Sequence, residues 1–168
     1  MKARRRTVAP PNSFEVAFDD LLAGAYKIAY RILGSIPESE DAAAEALARA
    51  LVQWPRISVL EYRDAWVMRI AANVAIDAAR RRRADSVAAP MVGDQTDETV
   101  LRIAMVAALA QLPRRQREVI ALRHLGGFSE REIADALGIS PNSVKTHSER
   151  ALTALRTRFG SDMEANLA

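Results

Sequence analysis

The segment 129–155 constrains the fold most, because it holds the start and stop signals of two short helices separated by a tight turn. Ser129 to Glu132 follow the Ser-x-x-Glu pattern of a capping box at a helix N-terminus. Gly138 can adopt the left-handed conformation cheaply where this helix ends. Ser140-Pro141 then provides an N-cap and a first-turn proline for a second helix. The spacing therefore predicts a helix-turn-helix.

The two predicted helices have distinct faces. Apolar residues at helical spacing form the inner face, with Ile139 filling the angle between the helices: Ile133, Ala134, Leu137, Val144, Ala151, Leu152 and Leu155. Polar side chains form the outer face of the second helix: Asn142, Ser143, Lys145, Thr146, His147 and Arg150. A helix fits the DNA major groove, and polar residues of its first two turns can reach base edges. The pattern favours a module that binds double-stranded DNA.

The rest of the chain also has helical periodicity, and no segment of useful length has strand periodicity. A buried stripe is predicted from Phe14 to Ile32, with Gly34 ending that helix. A second helix is predicted from Glu38 to Trp54, with Pro55 ending it and a loop from Pro55 to Arg63. These patterns indicate an all-α protein made of small helical bundles with separate cores.

A third helix is predicted to begin with Asp64 as its N-cap. Its predicted buried stripe is Trp66, Ile70, Val74 and Ala78. From Ala84 to Gln95 the periodicity fails and small or polar residues dominate, which is typical of a flexible linker. Helices resume near Thr96, and Pro113 is predicted to lie in the first turn of the next helix.

Composition and charge exclude some classes of site and favour the binding of phosphates. The chain of 168 residues has no cysteine, which excludes disulfides and thiolate metal sites, and its net charge is +3. Basic residues are clustered, as in phosphate-binding proteins. The clusters are Lys2 with Arg4 to Arg6, Arg80 to Arg83, and Arg114, Arg115 and Arg117. No apolar run approaches the ~20 residues of a membrane span. We expect a soluble, cytoplasmic protein that does not bind membranes.

An enzyme is not expected, and neither is a cofactor or a metal. The chain has no cysteine and no phosphate-binding loop, and both histidines, His124 and His147, lie in the DNA-binding half. A lone histidine without cysteine partners favours a polar contact over a metal site.

The C-terminal half resembles the conserved region 4 of bacterial sigma factors. The similar stretches are Leu112 to Ile120 (LPRRQREVI), Phe128 to Ala134 and Leu137 to Ser140. Ser143 to His147 are also similar to the recognition helix of LuxR-type regulators. The C-terminal half alone therefore does not decide between sigma factors and LuxR-type regulators.

The N-terminal half favours the sigma-70 family. Ala65 to Asp77 (AWVMRIAANVAID), followed by the basic run, resembles sigma region 2. Ser39 to Leu47 resembles the family's helix that binds the clamp coiled coil of core RNA polymerase. The absence of a region 3 bundle resembles the extracytoplasmic-function (ECF) group. The clamp-binding helix is unusually rich in alanine, from Ala42 to Ala48, which predicts a weaker contact.

The resemblance implies a division of the chain and a set of partners. The predicted division is a basic tail (1–12), region 2 (13–83), a linker (84–95), region 4 (96–160) and a C-terminal tail (161–168). The implied partners are core RNA polymerase, through its clamp coiled coil and its flap, and promoter DNA. Many relatives also bind an anti-sigma factor.

The resemblance also implies roles for individual residues. The −35 element would be contacted by the outer face of the recognition helix, with Arg114, Arg115 and Arg117 on phosphates. The −10 element would be contacted by Arg56, Ser58, Tyr62, Arg63, Arg69 and Asn73, with Arg80 and Arg81 on phosphates. Polymerase would be contacted by Asp41, Glu45 and Arg49, which share one helix face. Two alternatives remain at this point: an operator-binding regulator that acts without polymerase, and a sigma-mimicking adaptor.

Overall fold

The computed structural model describes the backbone of residues 13–86 and 97–167 and the side chains of residues 13–85 and 97–159. Regular structure in these residues is entirely helical, as predicted. The helices are α1 (Phe14–Leu33), α2 (Ile36–Ile57), α3 (Arg63–Ser86), α4 (Asp97–Gln111), α5 (Arg114–Ile120), α6 (Glu130–Leu137) and α7 (Pro141–Leu167). The predicted basic tail, most of the linker and Ala168 lie outside the described residues.

The first bundle consists of α1, α2 and α3, which pack on one another. Ser13 caps α1, because its hydroxyl accepts a hydrogen bond from the Val16 amide at 3.4 Å. Gly34 ends α1 in the left-handed conformation with φ 65°, and its amide donates to the Tyr30 carbonyl at 2.9 Å. The predicted stripe of α1 is largely buried, including Leu21, Ile28 and Ile32.

The prediction that Pro55 ends the second helix is wrong. α2 continues through Pro55 to Ile57, and the Ser58 amide donates to the Trp54 carbonyl at 2.9 Å. Pro55 removes one backbone hydrogen bond, that of its own missing amide, and only two residues of the helix follow it. Trp54 and Ile57 are both buried and hold the last turn against the bundle. The loop before α3 is therefore shorter than predicted and spans residues 58–62.

The predicted start, end and buried face of the third helix are also wrong. α3 begins at Arg63, so Asp64 lies in its first turn, and it runs through Ser86 into the predicted linker. Of the predicted stripe, only Val74 is buried. The face buried most deeply contains Val67, Met68, Ala71, Ala72, Ala75, Ile76 and Ala79. The single-stripe prediction failed because α3 is covered from two sides, by α1 and α2 and by the second bundle.

The second bundle consists of α4 to α7. Pro113 is the N-cap of α5 rather than a residue of its first turn, and α5 continues into one π-helical turn, Ala121–Leu125. α7 is longer than predicted, because the helix continues through the predicted C-terminal tail to Leu167. α5 and α6 both pack on α7, which forms the helix-turn-helix around a buried Val144.

The two bundles share a hydrophobic core, whereas the sequence predicted separate cores. Val119, Leu122, Ile133 and Leu137 of the second bundle belong to the same buried cluster as the core of α1 to α3. α3 lies at the centre and contacts α4, α5, the π turn and α6. The side of α3 that contacts these elements is therefore covered by the second bundle.

Candidate nucleic-acid interface

The turn of the helix-turn-helix has the predicted capping geometry. The Ser129 hydroxyl accepts from the Glu132 amide at 3.3 Å, and the Glu132 carboxylate accepts from the Ser129 amide at 2.7 Å. These hydrogen bonds hold the pKa of Glu132 below its ordinary value. Gly138 ends α6 in the left-handed conformation with φ 63°, where a side chain would be strained. The capping box thus fixes the start of α6, and the turn glycine lets the chain change direction between α6 and α7.

The first three turns of α7 present an exposed polar face. Asn142, Lys145 and Arg150 are exposed. The Ser143 amide donates to the Ser140 hydroxyl at 3.1 Å, and the Ser143 hydroxyl lies 2.9 Å from it. The Ser143 hydroxyl is therefore already engaged in the N-cap. The three exposed side chains are the ones best placed to contact a ligand.

Two further predicted −35 residues on α7 are half-buried. The Thr146 hydroxyl donates to the Asn142 carbonyl at 3.0 Å, a bond within the helix. His147 Nδ1 is buried and has no hydrogen-bond partner among the described residues. Both side chains are less accessible than that of Lys145.

The arginine cluster of α5 surrounds one buried carboxylate. Arg114 Nε lies 3.1 Å and Arg115 Nη1 lies 3.2 Å from the carboxylate oxygens of Glu118, whose side chain is fully buried. Arg117 instead donates to the Ala110 carbonyl at 3.3 Å, which ties α5 to α4. Glu118 was not among the predicted site residues. A lone acidic residue between three arginines and the apolar pair Val119-Ile120 is the signal that could have identified it.

The same carboxylate reaches the first bundle. The Asn73 side-chain amide donates to Glu118 Oε1 at 3.1 Å. One helical turn earlier on α3, Arg69 lies with its guanidinium 5.1 Å from the Trp66 ring centroid. Burial lowers the pKa of Arg69, and Arg114 and Arg115 lower it further, while Glu118 raises it. Two of the predicted −10 readers are thus brought next to the predicted −35 arginines.

The other predicted −10 readers lie at the end of α2, in the loop and at the start of α3. Arg56 is exposed, whereas Ser58, Tyr62 and Arg63 are half-buried. The Arg63 guanidinium lies 5.7 Å from the Trp54 ring centroid, within the range of a cation–π contact. A hydrogen bond to the Glu61 carboxylate raises the pKa of Tyr62.

The end of α3 presents the predicted phosphate contacts. Arg80 and Arg81 are exposed, and they lie about two turns beyond Asn73 along the helix. Arg82 is bound to Glu38 of α2 through a 2.6 Å ion pair, which fixes this end of α3 against the bundle. The structure therefore leaves both predicted phosphate-binding arginines accessible.

The outer face of α2 carries the predicted polymerase contacts. Asp41, Glu45 and Arg49 are all exposed, and Arg49 Nε lies 2.7 Å from Glu45 Oε1. Leu51 and Val52 are also exposed, Val52 to 76%. An exposed charged and apolar face is typical of a helix that binds another protein.

The prediction that the alanines of α2 weaken its partner contact stays a prediction, but the structure shows where these alanines lie. Ala42, Ala43 and Ala46 are buried against α1 and α3, and only Ala44 and Ala48 lie on the exposed side. Small residues at the buried positions let the helices approach closely. Most of these alanines of α2 therefore belong to the core of the bundle rather than to its outer face.

Two other properties were tested on the described residues. Across residues 13–86 and 97–167, no helix is long and apolar enough to cross a membrane. The same part of the chain contains no group of three histidine, cysteine or acidic side chains that could hold a metal ion.

Comparison with known families gives a match on both halves of the chain. The model of "Sigma-70 region 2" matches residues 17–85, and the model of "Sigma-70, region 4" matches residues 102–155. Together these matches cover more than half of the chain. The chain belongs to the sigma-70 family.

Individual relatives place this sigma-70 protein in the ECF group. It is 30% identical to the ECF RNA polymerase sigma factor SigW of Bacillus subtilis over 80% of this chain and 82% of the relative. It is 32% identical to the RNA polymerase sigma-E factor of Streptomyces coelicolor over 82% of this chain and 81% of the relative. Members of this family are transcription initiation factors rather than catalysts.

Solved structures agree with the all-helical fold. CnrH, solved in complex with the cytosolic domain of CnrY, matches with a TM-score of 0.58 and 26% identity, over 88% of this chain and 90% of that chain. The sigma factor RpoE of Bartonella quintana, solved with the anti-sigma factor NepR, matches with a TM-score of 0.56 and 20% identity, over 89% and 98%. The second likeness concerns the fold alone.

Proposed function

We propose that this sigma factor binds core RNA polymerase and directs it to promoters through contacts to both the −10 and the −35 elements. The main support for the proposal is that one short chain contains region 2 followed by region 4. A sigma factor does no bond chemistry. It supplies binding energy that positions polymerase and captures unpaired bases.

The polymerase contact is assigned to the outer face of α2. Asp41, Glu45 and Arg49 are exposed there next to the apolar Leu51 and Val52. Such a face can combine apolar burial with charge complementarity, and the charges would select the partner and speed its encounter. The clamp coiled coil of polymerase is the partner implied by the family resemblance, and the flap is the partner implied for region 4.

The −35 contact is assigned to the start of α7. The exposed Asn142, Lys145 and Arg150 support base or phosphate contacts in the major groove. The helix N-terminus adds a partial positive charge that favours phosphate. Arg114 and Arg115 would hold phosphates beside the groove, and such contacts position a module without reading sequence.

The −10 contact is assigned to the loop before α3 and to the face of that helix that carries Arg69 and Asn73. Tyr62 can stack on an unpaired base, and the polar groups of Arg69 and Asn73 can read its edge. Arg80 and Arg81 would follow the backbone of the single strand. The −10 and −35 contacts each have modest affinity. Because one polymerase complex joins them, binding of one element raises the effective concentration of the other contact, and a promoter with both elements is bound selectively.

Reconstituted transcription tests the proposal. Start sites mapped after overexpression provide candidate promoters, and each is transcribed with core polymerase alone and with the added chain. Promoter-dependent RNA that appears only with the chain supports the proposal. Operator binding without polymerase and no transcript would instead identify a LuxR-like regulator, and polymerase binding without transcript would identify a sigma-mimicking adaptor.

A further inference from the structure

A cavity of about 590 Å³ lies where the end of α1, the end of α3 and the length of α4 meet. Its apolar wall is formed by Ile32, Leu33, Ala79, Ile103 and Val106. Pockets that bind small molecules have volumes of roughly 300–1,000 Å³ and walls that are largely apolar. The cavity therefore has the size and the wall of a site for a small organic molecule.

The same cavity is strongly basic. Four arginines line it, Arg80, Arg82 and Arg83 from α3 and Arg102 from α4, and none of its described lining residues is acidic. Arg82 is paired with Glu38 at 2.6 Å, which compensates its charge. The other three arginines form no ion pair with a described residue. Uncompensated charge beside an apolar wall attracts anions more strongly than it would in open water.

Arg102 is held in the wall of the cavity by the backbone at the end of α1. Gly34 has φ 65°, and a Cβ at this position would clash with the Arg102 guanidinium. Glycine is therefore needed here both for its conformation and for the close approach of the arginine. Arg102 Nε is buried and has no hydrogen-bond partner among the described residues. Because a buried cation without a partner is costly, an anion beside this guanidinium would stabilise it.

We propose that this cavity binds an amphipathic anion, a small molecule with an apolar body and a carboxylate or phosphate head. The apolar body lies against Ile32, Leu33 and Val106, and the head pairs with Arg83 and Arg102. The planar guanidinium group of arginine matches the oxygens of either head. Burial of the apolar body and pairing of the head act together, so a ligand that lacks either part binds more weakly.

The cavity overlaps the proposed DNA contacts at one residue. Arg80 lines the cavity and is also a proposed phosphate contact for the −10 strand. An anion bound beside Arg80 would compensate part of the charge that attracts the strand. This consequence rests on the proposed function, whereas ligand binding itself does not depend on it.

Calorimetric titration of the full chain tests the proposed ligand class. The probes are decanoate and decyl phosphate, with decyltrimethylammonium and inorganic phosphate as comparators, all kept below the concentrations at which micelles form. At least one of the two anionic amphiphiles should bind at one site per chain, and which of them binds identifies the head. Both comparators should bind at least about tenfold more weakly. Equal binding of the cationic amphiphile or of inorganic phosphate, or no binding of either anionic amphiphile, overturns the proposal.

Charge variants test whether the head lies at the arginines of the cavity. Arg83→Gln and Arg102→Gln should each weaken binding of the anionic amphiphile by about tenfold, because each removes one charged hydrogen-bond donor. Arg81→Gln is the matched control for ligand affinity, since it removes the same charge from an exposed position of α3 that does not line the cavity. Its affinity should change by less than about twofold, because the charge is exposed to solvent and screened by salt. An equal loss in all three variants would show only general attraction to a basic protein and would overturn the site.

A variant that fills the cavity tests the position of the apolar body without a change in charge. Ala107 of α4 lines the cavity, so Ala107→Phe should abolish binding, whereas Ala104→Phe on the same helix, outside the cavity, should leave it intact. Thermal unfolding followed by far-UV circular dichroism checks that both variants are folded. Unchanged binding in a folded Ala107→Phe overturns the site. If reconstituted transcription works and no anionic amphiphile binds, the sigma function stands and the site fails; if binding is found and transcription fails, the site stands and the proposed function fails.

Discussion

Replacing Ser129 with alanine removes the capping box at the start of α6, the first helix of the helix-turn-helix. The Ser129 hydroxyl then no longer accepts from the Glu132 amide, a bond of 3.3 Å in the structure, nor donates to the Glu132 carboxylate at 2.6 Å. Loss of an N-cap costs roughly 1 kcal/mol, within a range of about 0.5–2. For a chain of this size that corresponds to a fall in Tm of about 2–4 °C.

The pH dependence of this loss carries more information than its size. The bonds from Ser129 hold the pKa of Glu132 below its ordinary value of 4.5. A carboxyl whose pKa is lowered on folding stabilises the fold above its unfolded pKa, and that contribution disappears as pH falls through the folded pKa. The stability difference between wild type and Ser129→Ala should therefore be full at neutral pH and shrink in acid.

Urea unfolding followed by far-UV circular dichroism, from neutral pH to about pH 3, measures this difference. Glu132→Gln is the matched control, because glutamine can still accept from the Ser129 amide but does not titrate near pH 4. Its stability relative to Ser129→Ala should vary less with pH. A Ser129→Ala difference below a few tenths of a kcal/mol, or one that grows in acid, would refute the reasoning.

The remaining predictions concern the core and the two interfaces. Ile133→Ala, at a fully buried position, should cost about 2–5 kcal/mol in urea unfolding, and a cost under 1 kcal/mol would mean that the site is not packed as described. Lys145→Ala should weaken duplex binding and lower the slope of log affinity against log salt by about 1, whereas an unchanged slope excludes a phosphate contact. Asp41→Lys with Glu45→Lys should reduce core polymerase binding by at least about tenfold in a pull-down titration, and intact binding would remove α2 from the interface.

The local structure could be predicted where sequence signals are short-range. The Ser129 capping box, the left-handed Gly138 and the inner position of Val144 follow from residues within a few positions of one another. The all-helical fold follows from the same kind of signal, because a period of three to four residues recurs through the chain.

The failures have a common physical cause in tertiary packing. The buried face of α3 was misassigned because two layers cover it, and periodicity in one helix does not show how many neighbours it has. Pro55 lies inside α2 because the burial of Trp54 and Ile57 outweighs a local helix-breaking signal. Glu118 was missed because its partner Asn73 is 45 residues away and on another bundle. Whether the predicted contact residues bind DNA or polymerase stays a prediction.

The dependence of promoter binding on polymerase tests the central claim most directly. A labelled duplex that spans a mapped start site is titrated with the chain alone, with core polymerase alone and with both, at two salt concentrations. Two weak modules joined by polymerase should give a tight, sequence-specific complex only when both proteins are present. If the chain alone binds the same duplex as tightly and as specifically, the account of a polymerase-dependent two-site reader is contradicted.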